Sequence, residues 1–538
     1  MRRPGKPEAQ GRAHAAPHRP GLSQEDEASL PRVSLFSFLL LFILACFLAA
    51  CQRASRSGGD TLVFLIESSP TSLDPRIGTD AQSERIGALL FDSLVERDAE
   101  LNIRGDLAWR WENPDPLTYV FHLRPGVRFQ DGRPLTSADV KFTFDSILTG
   151  KVATPKRSAL RAVASTEAPD PATVIFHLSG PDASLLWNVA RPAIGIVPRG
   201  SGADFAESPI GSGPFRLARV RQEEEVVLER NPDYFRGSPQ TARVRFRVVP
   251  DAMVRALELR KGSADLELDS LTPDVVQVLS RQASLEVTQR PGTNYNYLGV
   301  NFEDPVLARR EVRQALAYAT DRDAIIRYLL RGEARPASGI LPPEHWTYEP
   351  QVRQYPYDPG RAEELLEAAG FPRRGGGTRI KLSLKTSTDE SARLLGAVLQ
   401  DQWSRVGIEL ELRPLELATL LSDANHSNFQ LCYLRWVGGN LDPSFFEFVF
   451  SSRRFPPDGA NRGHYRNAEM DMLVDQIRVE SNPERRRALC SRVQKIAAED
   501  LPYINLWFND TICVHRRRLG RLQIASTGDY DFLASLVR

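Results

Sequence analysis

The sequence predicts a mixed α/β fold of two or three domains, and three observations support this prediction. Segments with the two-residue period of strands alternate irregularly with segments of helical period along the whole chain. The 538-residue chain keeps about 488 residues beyond residue 50, more than a single hydrophobic core usually holds. Its 38 prolines and 36 glycines are scattered rather than clustered, which is typical of a folded protein with many turns.

The first elements are predicted within residues 61–139. Residues 61–66 read as a short apolar strand, and turn residues then lead to a helix over residues 81–94. Residues 119–123 alternate as a strand, and Asp131-Gly132 is expected at the tip of a hairpin. The segment Thr136-Ser137-Ala138-Asp139 predicts a helix start with a capping box.

The later elements continue the irregular alternation. Strands are predicted at residues 226–228, 244–249, 285–289 and 380–384. Helices are predicted at residues 252–261, 309–320, 323–330 and 391–406. The order lacks the regular strand–helix–strand repeat of a simple parallel α/β fold.

An apolar run over residues 33–50 ends in Leu48-Ala49-Ala50-Cys51 and is followed by a polar stretch. A small-residue pair before a cysteine at the end of such a run resembles a lipobox, in which the signal is cut and Cys51 is lipidated. The alternative is an uncleaved membrane anchor, although a run of 18 residues is short for a membrane-spanning helix. Both interpretations place residues 52–538 on the outer face of a membrane, and residues 1–50 are treated as a leader.

The composition excludes several classes of partner. The 69 basic and 68 acidic residues nearly cancel, so no basic field is available to hold nucleic acid or an anionic membrane surface. Beyond Cys51 the cysteines are Cys432, Cys490 and Cys513, and no CxxC pair occurs. At least one of these three is unpaired, and the sequence leaves open whether the other two form a disulfide.

Common enzyme signatures are missing from the sequence. It contains no HExxH, no GxSxG elbow and no P-loop. The histidines beyond the leader lack metal-ligand spacing; they are His122, His177, His345, His426, His464 and His515. We therefore expect no catalytic site, no metal and no cofactor.

Several short motifs occur in a fixed order over residues 60–515. They are Ser72-Leu73-Asp74-Pro75, Phe91-Asp92-Ser93-Leu94, Phe121 to Phe129 with Asp131-Gly132, Thr136 to Val140, Gly211-Ser212-Gly213-Pro214-Phe215, Asn231-Pro232-Asp233-Tyr234-Phe235, Ala252 through Gly262 to Asp265, Val312 to Leu316 with Asp321-Arg322, and Trp436 through Asp442-Pro443. Each motif is weak alone. Their collinear order resembles family 5, the peptide/nickel class of ABC-transporter solute-binding proteins.

The resemblance implies a type II periplasmic-binding-protein-like fold of cluster C, in which two lobes close over a ligand about a hinge and an extra domain is inserted in the first lobe. The implied boundaries are residues 60–91, 206–295 and 507–538 for lobe I, 92–205 for the inserted domain, and 296–506 for lobe II. The two hinge crossings are expected at residues 294–298 and 504–508, which are short, extended and aromatic.

The loop from Trp436 to Pro443 is the first expected ligand contact. The resemblance implies that peptide-binding relatives carry a carboxylate at the position of Gly439, where this chain has no charge. Gly438 and Gly439 let backbone NH groups approach a ligand, or form an ordinary turn; Asn440 lies beside them. Asp442 either contacts the ligand or caps the next helix at Ser444, and Trp436 is either a stacking wall or a core residue.

The hinge and the first turn supply the other candidates. Tyr295 and Tyr297 alternate with Asn294 and Asn296, so one pair faces the cleft and the other packs in the core, and the sequence leaves open which does so. Trp507, on the second crossing, has the same ambiguity. Thr79 and Asp80 are similar in position to residues that contact the ligand backbone in relatives.

The resemblance implies a tethered extracytoplasmic receptor that binds a small solute, above all an oligopeptide, and delivers it to an ABC permease with its ATPase subunits. Without a carboxylate at Gly439, such a receptor is expected to have little preference for a free amino terminus. The alternatives on the same fold are a sensor subunit, a chaperone-like binder, or a receptor for sugars, opines or metal chelates.

Overall fold

The structure is a computed structural model and describes residues 61–98, 101–190, 192–373, 375, 377–438 and 442–536. The predicted lipidation site Cys51 lies outside the described residues, as do Gly439 and Asn440 of the predicted binding loop. Within the described ranges, every helix is too short or too polar to cross a bilayer.

Helices and strands alternate irregularly, as the sequence predicts. The elements up to residue 190 are β1 (Thr61–Ile66), α1 (Ala81–Leu90), β2 (Val95–Arg97), β3 (Ile103–Gly105), β4 (Ala108–Asp115), β5 (Thr118–Leu123), α2 (Ser137–Leu148), β6 (Val163–Asp170), β7 (Thr173–Leu178) and α3 (Leu185–Asn188). The elements from residue 215 to 300 are β8 (Phe215–Arg221), β9 (Glu225–Arg230), β10 (Arg243–Val248), α4 (Ala252–Lys261), β11 (Leu266–Leu268), α5 (Pro273–Ser280) and β12 (Leu285–Val300).

The remaining elements follow β12. They are α6 (Arg310–Tyr318), α7 (Arg322–Ala324), β13 (Ala334–Pro336), α8 (Pro359–Ala368), β14 (Ile380–Ser387), α9 (Glu390–Arg405), β15 (Ile408–Leu415), α10 (Leu417–Asn425), β16 (Leu431–Trp436), α11 (Phe445–Phe450), α12 (Ala468–Val479), α13 (Pro483–Asp500), β17 (Tyr503–Arg516) and α14 (Phe532–Ser535).

The predicted elements are mostly present, with two clear differences. Helix α1 ends at Leu90 rather than residue 94, because Phe91 is extended at φ −128° and its NH closes the last turn on the Gly87 carbonyl. The helix predicted over 323–330 is only the short α7, followed by a π-helical turn over Ile325–Leu329. The capping box at α2 is confirmed, since Asp139 accepts the Thr136 backbone NH at 2.9 Å.

One eleven-stranded sheet connects residues from both ends of the chain. Its strand order is β15-β14-β16-β12-β17-β11-β1-β10-β9-β8, with β13 paired to β17. Strand β1 runs parallel to β10 and β11, and β14 runs parallel to β15 and β16. Because β12 and β17 lie in the middle of this order, they join the β14-β16 half to the β1-β10 half.

Strands β12 and β17 pair antiparallel from Leu285↔Arg516 to Gly299↔Tyr503. The ladder is interrupted between Arg290 and Asn294, at a point occupied by Gly292. A Cβ at Gly292 would lie 2.3 Å from the Asn509 carbonyl oxygen, so the close approach of the two strands requires glycine. This first irregularity lies just before the hinge segment expected at 294–298, and a second one, between Asn296 and Tyr297, lies inside it.

The hydrophobic core is divided among separate clusters. The four-stranded sheet β4-β5-β7-β6 and α2 enclose one cluster within residues 94–196, where Tyr119, Phe121 and Leu123 alternate inward along β5. A second cluster joins residues 62–91 to 197–268 and 513–536. Two further clusters lie within residues 295–508, where Leu395, Leu399 and Trp403 form the buried stripe of α9.

Candidate functional site

A cleft with about 940 Å³ of empty space, part of it open to solvent, lies beside the central strands β12 and β17. Its walls come from both halves of the sheet, with β11 and α5 on one side and residues 329–333, α9 and β16 on the other. The polar lining residues are Glu267, Asp269, Thr272, Asn294, Asn296, Glu333, Ser391, Tyr433, Arg435, Trp507, Asn509 and Asp510. The cleft can therefore surround a ligand from two sides.

Strand alternation decides which hinge residues face this cleft. Asn294 and Asn296 line it, whereas Tyr295 and Tyr297 are 0% and 1% exposed and pack on the opposite face of the strand. The ring of Tyr297 lies 4.0 Å from that of Tyr503, centroid to centroid. This placement decides between the two alternatives that the sequence left open: the asparagines take the cleft positions, and the tyrosines support the strand from its other face.

Trp507 lines the cleft although only 2% of its surface is exposed. Beside it, the Asn296 amide donates a hydrogen bond to Asn509 Oδ1 at 2.6 Å. The Tyr433 hydroxyl donates to Asn296 Oδ1 at 2.9 Å. These bonds connect side chains of three neighbouring strands across the floor of the cleft.

Trp436 stands at the end of β16, on the tyrosine side of the strand. Its ring is nearly parallel to that of Tyr297 at 6.2 Å, and the Arg462 guanidinium lies 5.1 Å from its centroid. Gly438 has φ +67°, a conformation that favours glycine. The loop therefore turns sharply after Trp436, and Gly439 and Asn440 follow outside the described residues.

Asp442 is held by several partners. Its carboxylate accepts the Ser184 hydroxyl at 2.6 Å and the Ser444 backbone NH at 2.8 Å, and it faces Arg486 Nη2 at 3.3 Å. Burial alone would raise the pKa of Asp442, but Arg486 and the hydrogen bonds from Ser184 and Ser444 lower it below its usual value. Asp442 thus ties residues 182–184 to the region of α11 and α13, and its side chain is occupied.

Thr79 and Asp80 lie away from the cleft lining. Thr79 is exposed, and Asp80 is the N-cap of α1, where it accepts the Ser83 backbone NH at 2.9 Å. Burial raises the pKa of Asp80, but the hydrogen bonds from Ser83 and Thr71 outweigh it and lower the value overall. Asp80 therefore has a structural role at this helix end.

Four carboxyl groups in the cleft were missed by sequence reasoning. They are Glu267, Asp269, Glu333 and Asp510. Burial raises the pKa of Glu267 to about 8 and that of Glu333 to about 7. Asp269 is exposed as a residue, yet desolvation of its carboxyl group raises its pKa to about 6. No local pattern could have grouped them, because they come from three separate parts of the chain, at residues 267–269, 333 and 510.

The described residues give no support for a metal centre or for a disulfide. No group of three His, Cys, Asp or Glu side chains there is arranged to hold a metal ion. Cys432, Cys490 and Cys513 are all buried and not paired with one another.

The geometry of a cleft between two halves of one sheet agrees with the comparison to known families. The family model of bacterial extracellular solute-binding proteins, family 5 (middle region), matches residues 102–455. The chain belongs to this family. Family membership confirms the fold class predicted from the sequence, a type II periplasmic-binding-protein fold with two lobes. It also makes the protein an extracytoplasmic binding receptor rather than an enzyme.

Individual relatives agree in length as well as in fold. A probable di/tripeptide-binding protein of Pseudomonas aeruginosa is 30% identical over 522 residues, covering 91% of this chain and 98% of the relative. The oligopeptide-binding protein AppA of Bacillus subtilis, solved with a nonapeptide, is 26% identical with a TM-score of 0.72, covering 88% of this chain and 98% of AppA. The ABC transporter substrate-binding protein CtaP of Listeria monocytogenes is 25% identical with a TM-score of 0.79, covering 88% and 99%.

Proposed function

We propose that this family 5 protein is the receptor of an ABC importer and binds oligopeptides in the cleft beside β12 and β17. The observation that carries the proposal is the cleft itself, which holds about 940 Å³ and takes its lining from both halves of the sheet. A ligand between two such walls contacts both at once and so stabilises the closed arrangement. Relatives named for di/tripeptides and for a nonapeptide support a peptide as the solute.

The contact residues in this proposal follow the cleft geometry. Asn294, Asn296 and Trp507 form the floor, and Tyr295 and Tyr297 brace it from behind. The loop after Trp436, with Gly438, Gly439 and Asn440, is proposed to offer backbone groups at one rim. Thr79 and Asp80 frame the start of α1, and Asp442 holds the base of the loop through Ser184 and Arg486.

The domain boundaries are part of the proposal. Separate hydrophobic clusters support the division into lobe I (60–91, 206–295 and 507–538), the inserted domain (92–205) and lobe II (296–506). The two irregularities of the β12-β17 ladder, between Arg290 and Asn294 and between Asn296 and Tyr297, support a hinge at the crossing expected at residues 294–298. Closure about this point would move lobe II against lobe I without breaking either core.

Two measurements test the receptor function. Mass spectrometry of compounds released from the purified protein should identify peptides, because a closed cleft retains its ligand. Small-angle scattering of the stripped protein should show a smaller radius of gyration after the same peptide is added back. An unchanged radius at saturation, or recovery of the ligand as a new compound, would contradict a closing, non-enzymatic receptor.

The membrane attachment is proposed from the sequence alone. We infer that the leader is cut before Cys51 and that the Cys51 thiol is lipidated, which tethers the receptor near its permease and ATPase subunits. Replacing Cys51→Ala should leave the leader uncut or release the protein from membranes. If both forms stay membrane-bound at the size of the precursor, the run over residues 33–50 is a plain anchor.

A further inference from the structure

The charge in the cleft is unbalanced. Its charged lining consists of the four carboxyl residues Glu267, Asp269, Glu333 and Asp510, with Arg435 as the single base among the described lining residues. Arg435 is exposed and makes no ion pair with any described residue. Clustered carboxyls in a partly enclosed space favour a bound cation, because each carboxylate raises the electrostatic cost of ionising the next.

Glu267 gives independent evidence for a ligand-binding position at this place. The side chain is 1% exposed. Its Oε2 accepts the Ser270 backbone NH at 3.1 Å and the Ser270 hydroxyl at 2.6 Å. Its Oε1 is buried without a hydrogen-bond partner among the described residues. A buried polar atom is normally satisfied, so an unpartnered oxygen in the lining of a cleft points to an occupant.

Glu333 and Asp510 lie side by side at the opposite wall. The Asp510 backbone NH donates to the Glu333 carbonyl at 3.0 Å, which holds the two residues next to each other. Asp510 Oδ2 accepts one hydrogen bond from Gln289 at 2.7 Å. The Glu333 carboxyl has no hydrogen bond or ion pair in the part of the chain that the structure describes.

The neighbouring cations are already committed to other carboxylates. Arg335 forms an ion pair with Glu344 at 2.7 Å and donates to the Gly292 carbonyl at 2.9 Å. Arg331 pairs with Asp274 at 2.7 Å. The protein therefore leaves Glu333 and Asp510 without a basic partner of their own.

We propose that Glu333 and Asp510, together with Asp269 and Glu267, bind a basic side chain of the ligand, either an ammonium or a guanidinium group. This inference rests on the proposed peptide-binding function and names the class of peptide. A basic group placed among these carboxyls forms charge-assisted hydrogen bonds, and it offers a donor to the unpartnered oxygen of Glu267.

The acidic wall is well separated from the end of β16 in the sheet. In the sheet, β13 next to Glu333 is separated from β16 by β17 and β12. Three steps of about 4.8 Å each place the acidic wall roughly 14 Å from the end of β16. The loop that begins there carries Gly439. A peptide advances about 3.5 Å per residue, so a ligand that reaches both places has several residues between them.

The ionisation of the cluster supplies a further signature. Burial raises the pKa of Glu333, and the nearby carboxylates of Asp510, Asp274 and Asp269 raise it further, to about 7. The other charged groups facing the cluster are Arg255 around Glu267, Arg435, Arg85 and Glu67 around Asp269, and Arg335 and Glu344 around Asp510. A bound cation lowers the carboxyl pKa values, so binding releases protons. Affinity for a basic peptide is therefore expected to weaken as the pH falls below about 7.

Calorimetry on ligand-stripped protein tests the proposal with penta-alanine and five variants that each contain one lysine. At least one lysine position should bind about tenfold or more tightly than penta-alanine. Acetylation of that lysine side chain should remove the gain, and acetylation of the α-amino group should not. The same gain should shrink at acidic pH, whereas the affinity for penta-alanine should change less.

Two isosteric variants assign the effect to the cluster. Glu333→Gln and Asp510→Asn should each remove most of the lysine gain, expressed as the ratio of the affinities for the lysine peptide and for penta-alanine. A thermal unfolding curve of each variant shows that it is folded. Glu411→Gln is the matched control, since Glu411 is exposed on β15 and pairs only with Arg413 at 3.0 Å. Its lysine gain should equal that of the unaltered protein.

The outcomes separate this inference from the receptor function. If penta-alanine binds and no lysine position improves affinity, the acidic cluster is not a subsite and the peptide-binding function stands. If α-acetylation alone abolishes binding, the amino terminus occupies the cluster and the side-chain assignment is overturned. If none of the peptides binds and mass spectrometry recovers another class of compound, the peptide function fails and this inference fails with it.

Discussion

Two buried carboxylates in this protein have opposite environments. Asp442, with a side chain 12% exposed, accepts hydrogen bonds from Ser184 and Ser444 and faces the Arg486 guanidinium. Glu267 has one oxygen held by Ser270 and one buried oxygen without a partner among the described residues. The pKa of Asp442 is lowered, whereas burial raises that of Glu267 to about 8.

The difference shows that partners, rather than burial alone, decide what a buried carboxyl does. With an arginine and two donors, the carboxylate of Asp442 joins residues 182–184 to the region of α11 and α13. Glu267 also accepts two hydrogen bonds, both from Ser270, but no arginine among the described residues lies within ion-pair distance, so burial dominates and disfavours its charged form. The same chemical group thus forms a structural contact at Asp442 and, at Glu267, a group available to a ligand.

The largest effect is expected from removing the carboxylate that has an arginine partner, that of Asp442. Asp442→Ala leaves the Arg486 side chain, which is 6% exposed, without its counter-charge. Removing one partner of a buried ion pair should lower the free energy of unfolding by about 4 kcal/mol, measured by chemical denaturation. Glu411→Ala, in the exposed pair with Arg413, is the control and should cost less than about 1 kcal/mol. Equal losses in both variants would show that the Asp442 contact is no stronger than a surface pair.

The second prediction concerns Glu267 and its effect on the pH dependence of protein stability. The pKa of Glu267 is about 8 in the folded state against an ordinary value of 4.5, so the folded protein keeps a proton that the unfolded chain releases. Stability should therefore fall as the pH rises, by about 3 kcal/mol between pH 4.5 and pH 7 from this group alone. Glu267→Gln, which mimics the protonated form, should remove that part of the slope in denaturation curves taken across this range. The same slope in both proteins would assign it to other groups.

A third prediction tests β12 and β17, the strands that connect the two halves of the sheet. Gly292→Ala places a Cβ 2.3 Å from the Asn509 carbonyl oxygen, so β12 and β17 must shift. The expected cost is about 2 kcal/mol of unfolding free energy, together with a smaller change in the radius of gyration when ligand is added. Gly180→Ala is the control because its Cβ would meet no atom within 4 Å. Unaltered closure in Gly292→Ala would place the hinge away from the irregularity between Arg290 and Asn294.

The smallest effect is expected at the loop that carries Gly439. With no carboxylate there to pair with a free amino terminus, α-acetylation of a bound peptide should change affinity by less than about tenfold, or 1.4 kcal/mol. Gly439→Asp should restore a preference for the free amino terminus in the same calorimetric titration. A hundredfold loss on acetylation in the unaltered protein would mean that another carboxylate holds the amino terminus. Asp442 and Asp80 are already occupied by their own partners.

Local signals in the sequence were sufficient for individual elements. The alternation in residues 119–123 predicts β5, because a strand with one buried face repeats every two residues. The Thr136 to Asp139 capping box predicts the start of α2, since both hydrogen bonds join residues three positions apart. Errors occurred where the chain leaves regular structure, as at Phe91, where an extended residue ends a helix whose apolar pattern continues.

The sequence by itself determined the family, the mixed α/β class and the alternation of Asn294 to Tyr297, because these depend on residue order and local periodicity. The tertiary structure decided which face of that strand lines the cleft, since this depends on the helices that pack behind Tyr295 and Tyr297. It also brought Glu267, Asp269, Glu333 and Asp510 to one cleft. Glu267 and Asp510 are more than 240 positions apart in the chain, and only the pairing of β11 with β17 brings them to one cleft.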